Sequence, residues 1–308
     1  MKAFLNDHKV VLVEGAIVER LKSEFNIPSD PYINYGGAVY DHAPILEKIY
    51  RQYIEIGREH NLPMVLMTST RRSHESSIAK SAYTGKTIIA DNCKFVDEIR
   101  NSYGEYSKSI KIGGIMGSVG DAYSAIESLG ELDAYNYHKK QSHQFTHVDF
   151  LFAAIMPEIN ESLGMARAMA ETAKPYLISF MLGNDGCLLD GTKLVDAIEV
   201  IDSQVDPKPL AYMTNCIHPA NLLEALNQEF NLNSETLKRF IGIQANASRL
   251  SPEELDNNPE LQQDDFSVMS DLMIELFERF DLRLLGGCCG TNDQFISTLA
   301  KRIKTLVK

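Results

Sequence analysis

Short apolar runs rich in β-branched residues recur along the chain, separated by longer segments of mixed polarity. The runs are VVLVEG (10–15), PMVLMTST (63–70), IKIGGIMGS (110–118), HVDFLFAAIM (147–156), PYLISFML (175–182), PLAYMTNC (209–216), RFIGIQANA (239–247) and LRLLGGCC (282–289). Near-continuous apolar strands belong to sheets covered on both faces, which are parallel sheets. Between the runs, APILEKIYRQYIEIG (43–57), PEINESLGMARAMAETA (157–173) and DLMIELFERF (271–280) place apolar residues at helical spacing. Eight strand–helix units in 308 residues predict an α/β fold: a (β/α)8 TIM barrel, one domain spanning residues 1–308, with an open doubly wound sheet as the alternative.

Two polar stretches break the repeat. Residues 22–42 and 249–267 carry Pro, Asn and Asp and are expected to be long loops after the first and seventh strands, at the barrel end where active sites are built. No interdomain linker and no repeat of 20–50 residues is visible.

Composition narrows the class of partner. With 44% hydrophobic and 23% charged residues the chain can build a substantial core. A net charge of −12 without a Lys/Arg block argues against nucleic acid and anionic membrane. The opening MKAFLNDHKVVLVEG has no long apolar stretch, so a cytoplasmic location is expected. Small molecules are left as partners, and a homo-oligomer stays open.

The cysteines carry the chemistry. There are five, Cys93, Cys187, Cys216, Cys288 and Cys289, an odd number without a secretion signal, which favours metal binding or catalysis over a disulfide framework. Cys216 ends the sixth expected strand and Cys288 with Cys289 the eighth, so a barrel brings all three to one mouth. Three thiolates suit Zn²⁺ and leave its fourth position open. Gly286, Gly287 and Gly290 give the adjacent pair freedom to turn.

Cys93, in a helical stretch, and Cys187, in a loop after strand five, read as inert. A vicinal disulfide is the alternative for the 288/289 pair. His218 would be either a fourth ligand or, preferably, a local loop or substrate contact. His138, His143 and His147 fit no single helix face, and HKKQSHQFTH (138–147) is expected to be a solvated loop.

At these residues the sequence resembles the zinc-dependent homocysteine S-methyltransferases, which include betaine- and S-methylmethionine-dependent enzymes. The motifs are NC (215–216) and GGCCGT (286–291), with weaker matches in GSVG (117–120), PYLISF (175–180), LDGTKLVDAI (189–198) and QANAS (244–248). The resemblance implies zinc on Cys216, Cys288 and Cys289. It also implies transfer of a methyl group from a sulfonium or quaternary ammonium donor to a small-molecule thiol, homocysteine above all, giving methionine. Three thiolates leave the zinc unit anionic, which favours an electron-rich sulfur over water activation.

Glu14 is then expected to bind the acceptor's amino group, Asn215 and Asn246 to orient substrate, and Tyr32, Tyr35 and Tyr40 to offer aromatic faces to a cationic donor. The chain departs from the family at several points. Glu14–Gly15 stands where Asp-Gly is usual, and Ala154 where a glutamate contacts the amino group of homocysteine. Glu158 either substitutes for that glutamate or serves a helix N-terminus. Arg71 and Arg72 replace an aromatic residue and a glutamine, either to read a carboxylate or phosphate or simply to be solvated. Asp121 and Ala122 replace Pro and Tyr. These departures leave two alternatives: the same chemistry on a different thiol, or a non-catalytic zinc-binding relative.

Overall fold

Period-two alternation divides the strands between two apolar layers. Val11 and Val13, Val65 and Met67, and Phe150 and Phe152 join one buried cluster, whereas Leu12, Leu66 and Leu151 join a second that includes the helices. Both faces are therefore apolar, which is why the strands read as continuous hydrophobic runs. The structure is a computed structural model and describes residues 1–232, 234–250 and 263–306.

The strands are β1 (Val11–Val13), β2 (Met64–Met67), β3 (Ile110–Gly117), β4 (Phe150–Met156), β5 (Tyr176–Phe180), β6 (Ala211–Ile217), β7 (Phe240–Ala245) and β8 (Leu284–Gly287). Each pairs in parallel with the next, and Val11 opposite Leu284 closes β8 onto β1 as a barrel. A principal helix follows each strand: α1 (Ala43–His60), α2 (Ile88–Asn101), α3 (Glu131–Ser142), α4 (Ile159–Ala170), α5 (Leu194–Gln204), α6 (Pro219–Leu226), α7 (Phe266–Phe280) and α8 (Asp293–Leu306). The open-sheet alternative is excluded. Phe4 and Leu5, on a short N-terminal helix (Lys2–Asp7), join the barrel-interior cluster.

Two expectations are corrected. The histidine-bearing tract is a solvated loop only in its second half, where His143 and His147 are exposed: α3 runs through Ser142, and His138 is buried with its Nε2 3.2 Å from Oε1 of buried Glu161. A helix that packs closely on its neighbour buries an inward-facing histidine whatever the polarity around it. Gly164 on α4 permits that packing, since a Cβ there would stand 2.7 Å from Ala134 Cβ. The stretch 22–42 is not wholly irregular, because it ends in a short helix, Ala38–Asp41. Most of the loop expected at 249–267 lies outside the described residues, and α7 already begins at Phe266.

Two strands lose regular register at their C-terminal ends. β4 shifts against β5 between Ala153 and Met156, and β6 shifts against β7 between Asn215 and Ile217. Ile155 and Cys216 there take φ of 57° and 58°. Left-handed backbone at non-glycine residues is costly and persists only where the surrounding structure fixes it. Both irregularities open onto the same cavity.

Candidate metal centre and its cavity

In a plain strand, neighbouring side chains point to opposite faces. The irregularity in β6 overrides that rule, so that Asn215 and Cys216 both line the cavity at the barrel mouth. Cys288 and Cys289 follow β8 in a turn that is tied down on several sides. Cys288 N donates to Ala245 O at 2.7 Å, Ala247 N donates to Cys289 O at 2.9 Å, and Thr291 Oγ1 donates to Cys288 O at 2.7 Å. Gly290, at φ 74°, makes the turn. Gly286 serves close approach instead, since a Cβ there would lie 2.6 Å from Val13 O.

The three sulfurs converge. Cys216 Sγ lies 3.7 Å from Cys289 Sγ and Cys288 Sγ lies 4.0 Å from Cys289 Sγ, while Cys216 and Cys288 are paired as a disulfide and Cys289 is the free thiol of the three. All three lie within 4.8 Å of one another, and they form the only such donor group among the described residues. The vicinal pair itself is unbonded. Burial, then the Glu19 carboxylate, pushes the Cys289 thiol up, and Tyr123 Oη approaches its sulfur to 4.0 Å.

The sulfurs open onto a cavity of about 270 Å³. Its apolar lining includes Ile33, Tyr35, Met67, Ile115, Ala154 and Ile155, and its ionisable lining includes Glu14, Glu19, Arg71 and Arg72. Glu14, 3% exposed, leaves Oε2 without a hydrogen-bond partner, and burial raises its carboxyl well above the usual range. Ala154, where the amino-contacting glutamate was expected, presents only a methyl to the same space.

Beneath the cysteines runs an amide chain. Ser179 Oγ donates to Asn215 Oδ1, Asn215 Nδ2 donates to Gln244 Oε1 at 2.5 Å, and Gln244 Nε2 donates to Gly287 O at 3.4 Å. These bonds join the ends of β5, β6, β7 and β8. Asn215 thus faces the cavity with its carbonyl already engaged.

The remaining expected residues divide. Asn246 is buried beside the cavity but not on its lining, and its Oδ1 accepts from Ser248 N at 3.1 Å. Glu158 caps α4 by accepting from Asn160 N and Glu161 N at 2.9 and 2.8 Å, so it serves the helix terminus and stands away from the cavity lining. His218 caps α6 through Ala220 N at 3.2 Å and faces Asp264 at 3.2 Å, outside the sulfur group. Cys93 is buried in α2, and Cys187 is apart from the cluster.

Of the loop tyrosines only Tyr35 lines the cavity. Its hydroxyl is spent on Ile27 O at 2.8 Å, whereas Tyr40 bonds Asp91 at 2.5 Å and Tyr32 is 46% exposed. Sequence reasoning missed Tyr123, Ser179, Gln244 and Glu19. For Ser179 and Gln244 the signal was present, as single polar residues inside strands that are otherwise apolar. Tyr123 sits on a loop and Glu19 in a short helix, Val18–Ser23, and neither offers a periodicity that points inward.

The fold resembles known enzymes. Crystal structures of the homocysteine methyltransferase MmuM from Escherichia coli superpose on it. The metallated form gives a TM-score of 0.77 at 18% identity, covering 97% of this chain and 98% of that one. The apo form gives 0.69 at 19% identity, covering 98% of each. Two Saccharomyces cerevisiae proteins, homocysteine S-methyltransferases 1 and 2, are 22% and 23% identical over 285 and 282 residues, or 84% of this chain and 81% of each relative. The homocysteine S-methyltransferase family profile matches residues 11–303, from the first barrel strand into the last helix, and the chain accordingly belongs to the homocysteine S-methyltransferase family.

Proposed function

We propose that this protein is a zinc-dependent S-methyltransferase that moves a methyl group from a sulfonium or quaternary ammonium donor to homocysteine, giving methionine. The observation that carries the reading is the convergence of three cysteine sulfurs on the lining of one cavity at the barrel mouth. Three cysteine sulfurs are the donor chemistry zinc takes, and sulfurs about 2.3 Å from zinc in a tetrahedron lie roughly 3.8 Å apart: the 3.7 and 4.0 Å separations of Cys289 from its partners match, whereas the Cys216–Cys288 disulfide has to be reduced and its sulfurs parted before the set can hold the ion. Cys216, Cys288 and Cys289 would hold it, and zinc bound there supplies the charge that keeps a thiol deprotonated at neutral pH.

The chain's own residues supply the rest. The apolar lining excludes water, so that a thiolate meets the methyl carbon rather than solvent. Glu14 offers an unpaired carboxylate oxygen to the acceptor's ammonium, which restores the charge that burial opposes. Asn215 holds the cysteine-bearing strand ends in register through Ser179 and Gln244. Tyr35 and Tyr123 give the cavity aromatic surface on which a cationic donor is stabilised.

Protein reduced before zinc loading, so that Cys216 and Cys288 are both free thiols, is the material for the test. Labelled methyl transfer from S-methylmethionine or betaine to homocysteine is expected. Absence of transfer with stoichiometric zinc bound would instead point to a non-catalytic relative. The bare methyl of Ala154 on the cavity lining supports a second reading, the same chemistry on a thiol without an amino group. Comparison of homocysteine with 4-mercaptobutanoate separates the two.

A further inference from the structure

The cavity holds a cation that the chemistry above does not use. Arg71 follows β2, and its Nη1 is shielded from solvent without a hydrogen-bond partner. No carboxylate lies within ion-pair distance of it among the described residues. The residue as a whole is half-buried, so it is this one shielded, unpartnered donor that calls for a ligand, because a buried polar atom left unsatisfied is costly. Arg72, by contrast, spends Nη2 on Gly120 O at 3.1 Å.

The position of Arg71 is built. Thr70 Oγ1 donates to Ile115 O at 2.8 Å, Ile115 N donates to Thr68 Oγ1 at 3.0 Å, and Ser73 N donates to Thr70 O at 2.9 Å, which pins the segment to β3. Gly117 leaves room for the aliphatic stem, since a Cβ there would collide with Arg71 Cγ. Arg71 lines the same cavity as Tyr123, Cys216, Cys288 and Cys289, so its charge and the sulfur cluster face one space.

We propose that Arg71 is the carboxylate receptor for the thiol acceptor, so that Arg71 and Glu14 together read the two charged ends of an amino acid whose sulfur lies at the cysteine cluster. This rests on the acceptor reading above and names the group that gives it specificity. A guanidinium matches a carboxylate with two parallel N–H donors, and in a water-excluded cavity such a pair discriminates strongly against ligands that lack the anion. The loss of a polar group at Ala154 is then offset by a gain at Arg71: recognition has moved from the end of β4 to the ends of β1 and β2.

The test is equilibrium binding to zinc-loaded, reduced protein. Three probes are used: L-homocysteine, its deaminated analogue 4-mercaptobutanoate and its decarboxylated analogue 3-aminopropane-1-thiol. Arg71→Gln is expected to weaken the two carboxylate-bearing thiols about 30-fold or more and to leave 3-aminopropane-1-thiol unchanged. Arg71→Lys, which keeps the charge but loses the fork, recovers part of the loss. Equal weakening of all three probes, or an unaltered affinity for homocysteine, overturns the assignment.

A raised KM for S-methylmethionine with unchanged thiol affinity also overturns it, by placing the carboxylate on the donor. If wild-type protein binds no homocysteine, the acceptor reading and this inference fall together. If it binds homocysteine and Arg71→Gln binds it equally well, only this inference falls. Melting temperatures of both variants verify that the fold survives.

Discussion

Cys216 and Cys289 bring their sulfurs to 3.7 Å although 73 residues separate them in sequence. One stands on an irregular strand end at φ 58° and the other on a glycine turn after β8. Barrel closure and two local departures from regular backbone are both needed to make them neighbours.

Cys216→Ser and Cys289→Ser are each expected to reduce zinc from about one equivalent per chain to a small fraction of that, because serine is a far poorer ligand for this metal. Elemental analysis after gel filtration measures the content. A variant that keeps a full equivalent removes that cysteine from the ligand set.

Asn215→Ala strips the amide chain of its central member and leaves Ser179 and Gln244 unsatisfied in a buried setting. A loss of about 1–3 kcal/mol in unfolding free energy is expected for each buried polar group orphaned in this way. Denaturant titration reads it. An unchanged midpoint and slope would mean the network carries no stability.

Glu158→Ala should cost stability and nothing else. The side chain caps α4 through two backbone N–H groups, and removal of such a cap costs about 0.5–2 kcal/mol. The KM for homocysteine stays at the wild-type value. A raised KM would assign Glu158 to the substrate instead.

His74 makes stability depend on pH. It accepts from Ser76 N through Nδ1 at 3.2 Å and faces Tyr137 O through Nε2 at 2.8 Å, which suits the neutral Nε2–H form. Burial lowers its pKa below the ordinary 6.5; the Tyr137 carbonyl and Glu75 oppose the shift, whereas His138 and Lys140 add to it. A depressed folded-state value means that the folded protein binds fewer protons than the unfolded chain. This contribution is thus fully present above about pH 6.5 and fades as pH falls through and below that value. Melting temperatures at roughly pH 8 and pH 5 should fall further for wild type than for His74→Gln. Equal falls would remove His74 as a source.

The barrel was legible in the sequence because its strands are buried on both faces, and helix N-terminal function at Glu158 was legible from the preceding proline. His138 was misread because its neighbours are polar, and only the packing of α3 on α4, through Gly164 and Glu161, turns it inward. Tyr123 was missed because loop residues carry no periodic signal of direction, and Glu19 because its helix, Val18–Ser23, is too short to show one. Asn246, by spacing as good a candidate as Asn215, turns its carbonyl to Ser248.

By itself the sequence determined which residues lie in strands, that the strands run parallel, and that three cysteines end two of them, because hydrophobic periodicity and strand order are local properties of the chain. Only the tertiary structure decided which polar groups are left unpaired. Whether Arg71 finds a carboxylate, or Asn215 a partner, depends on contacts between segments distant in sequence, and on the cavity lining it is Glu14 and Arg71 that keep an unpartnered polar atom.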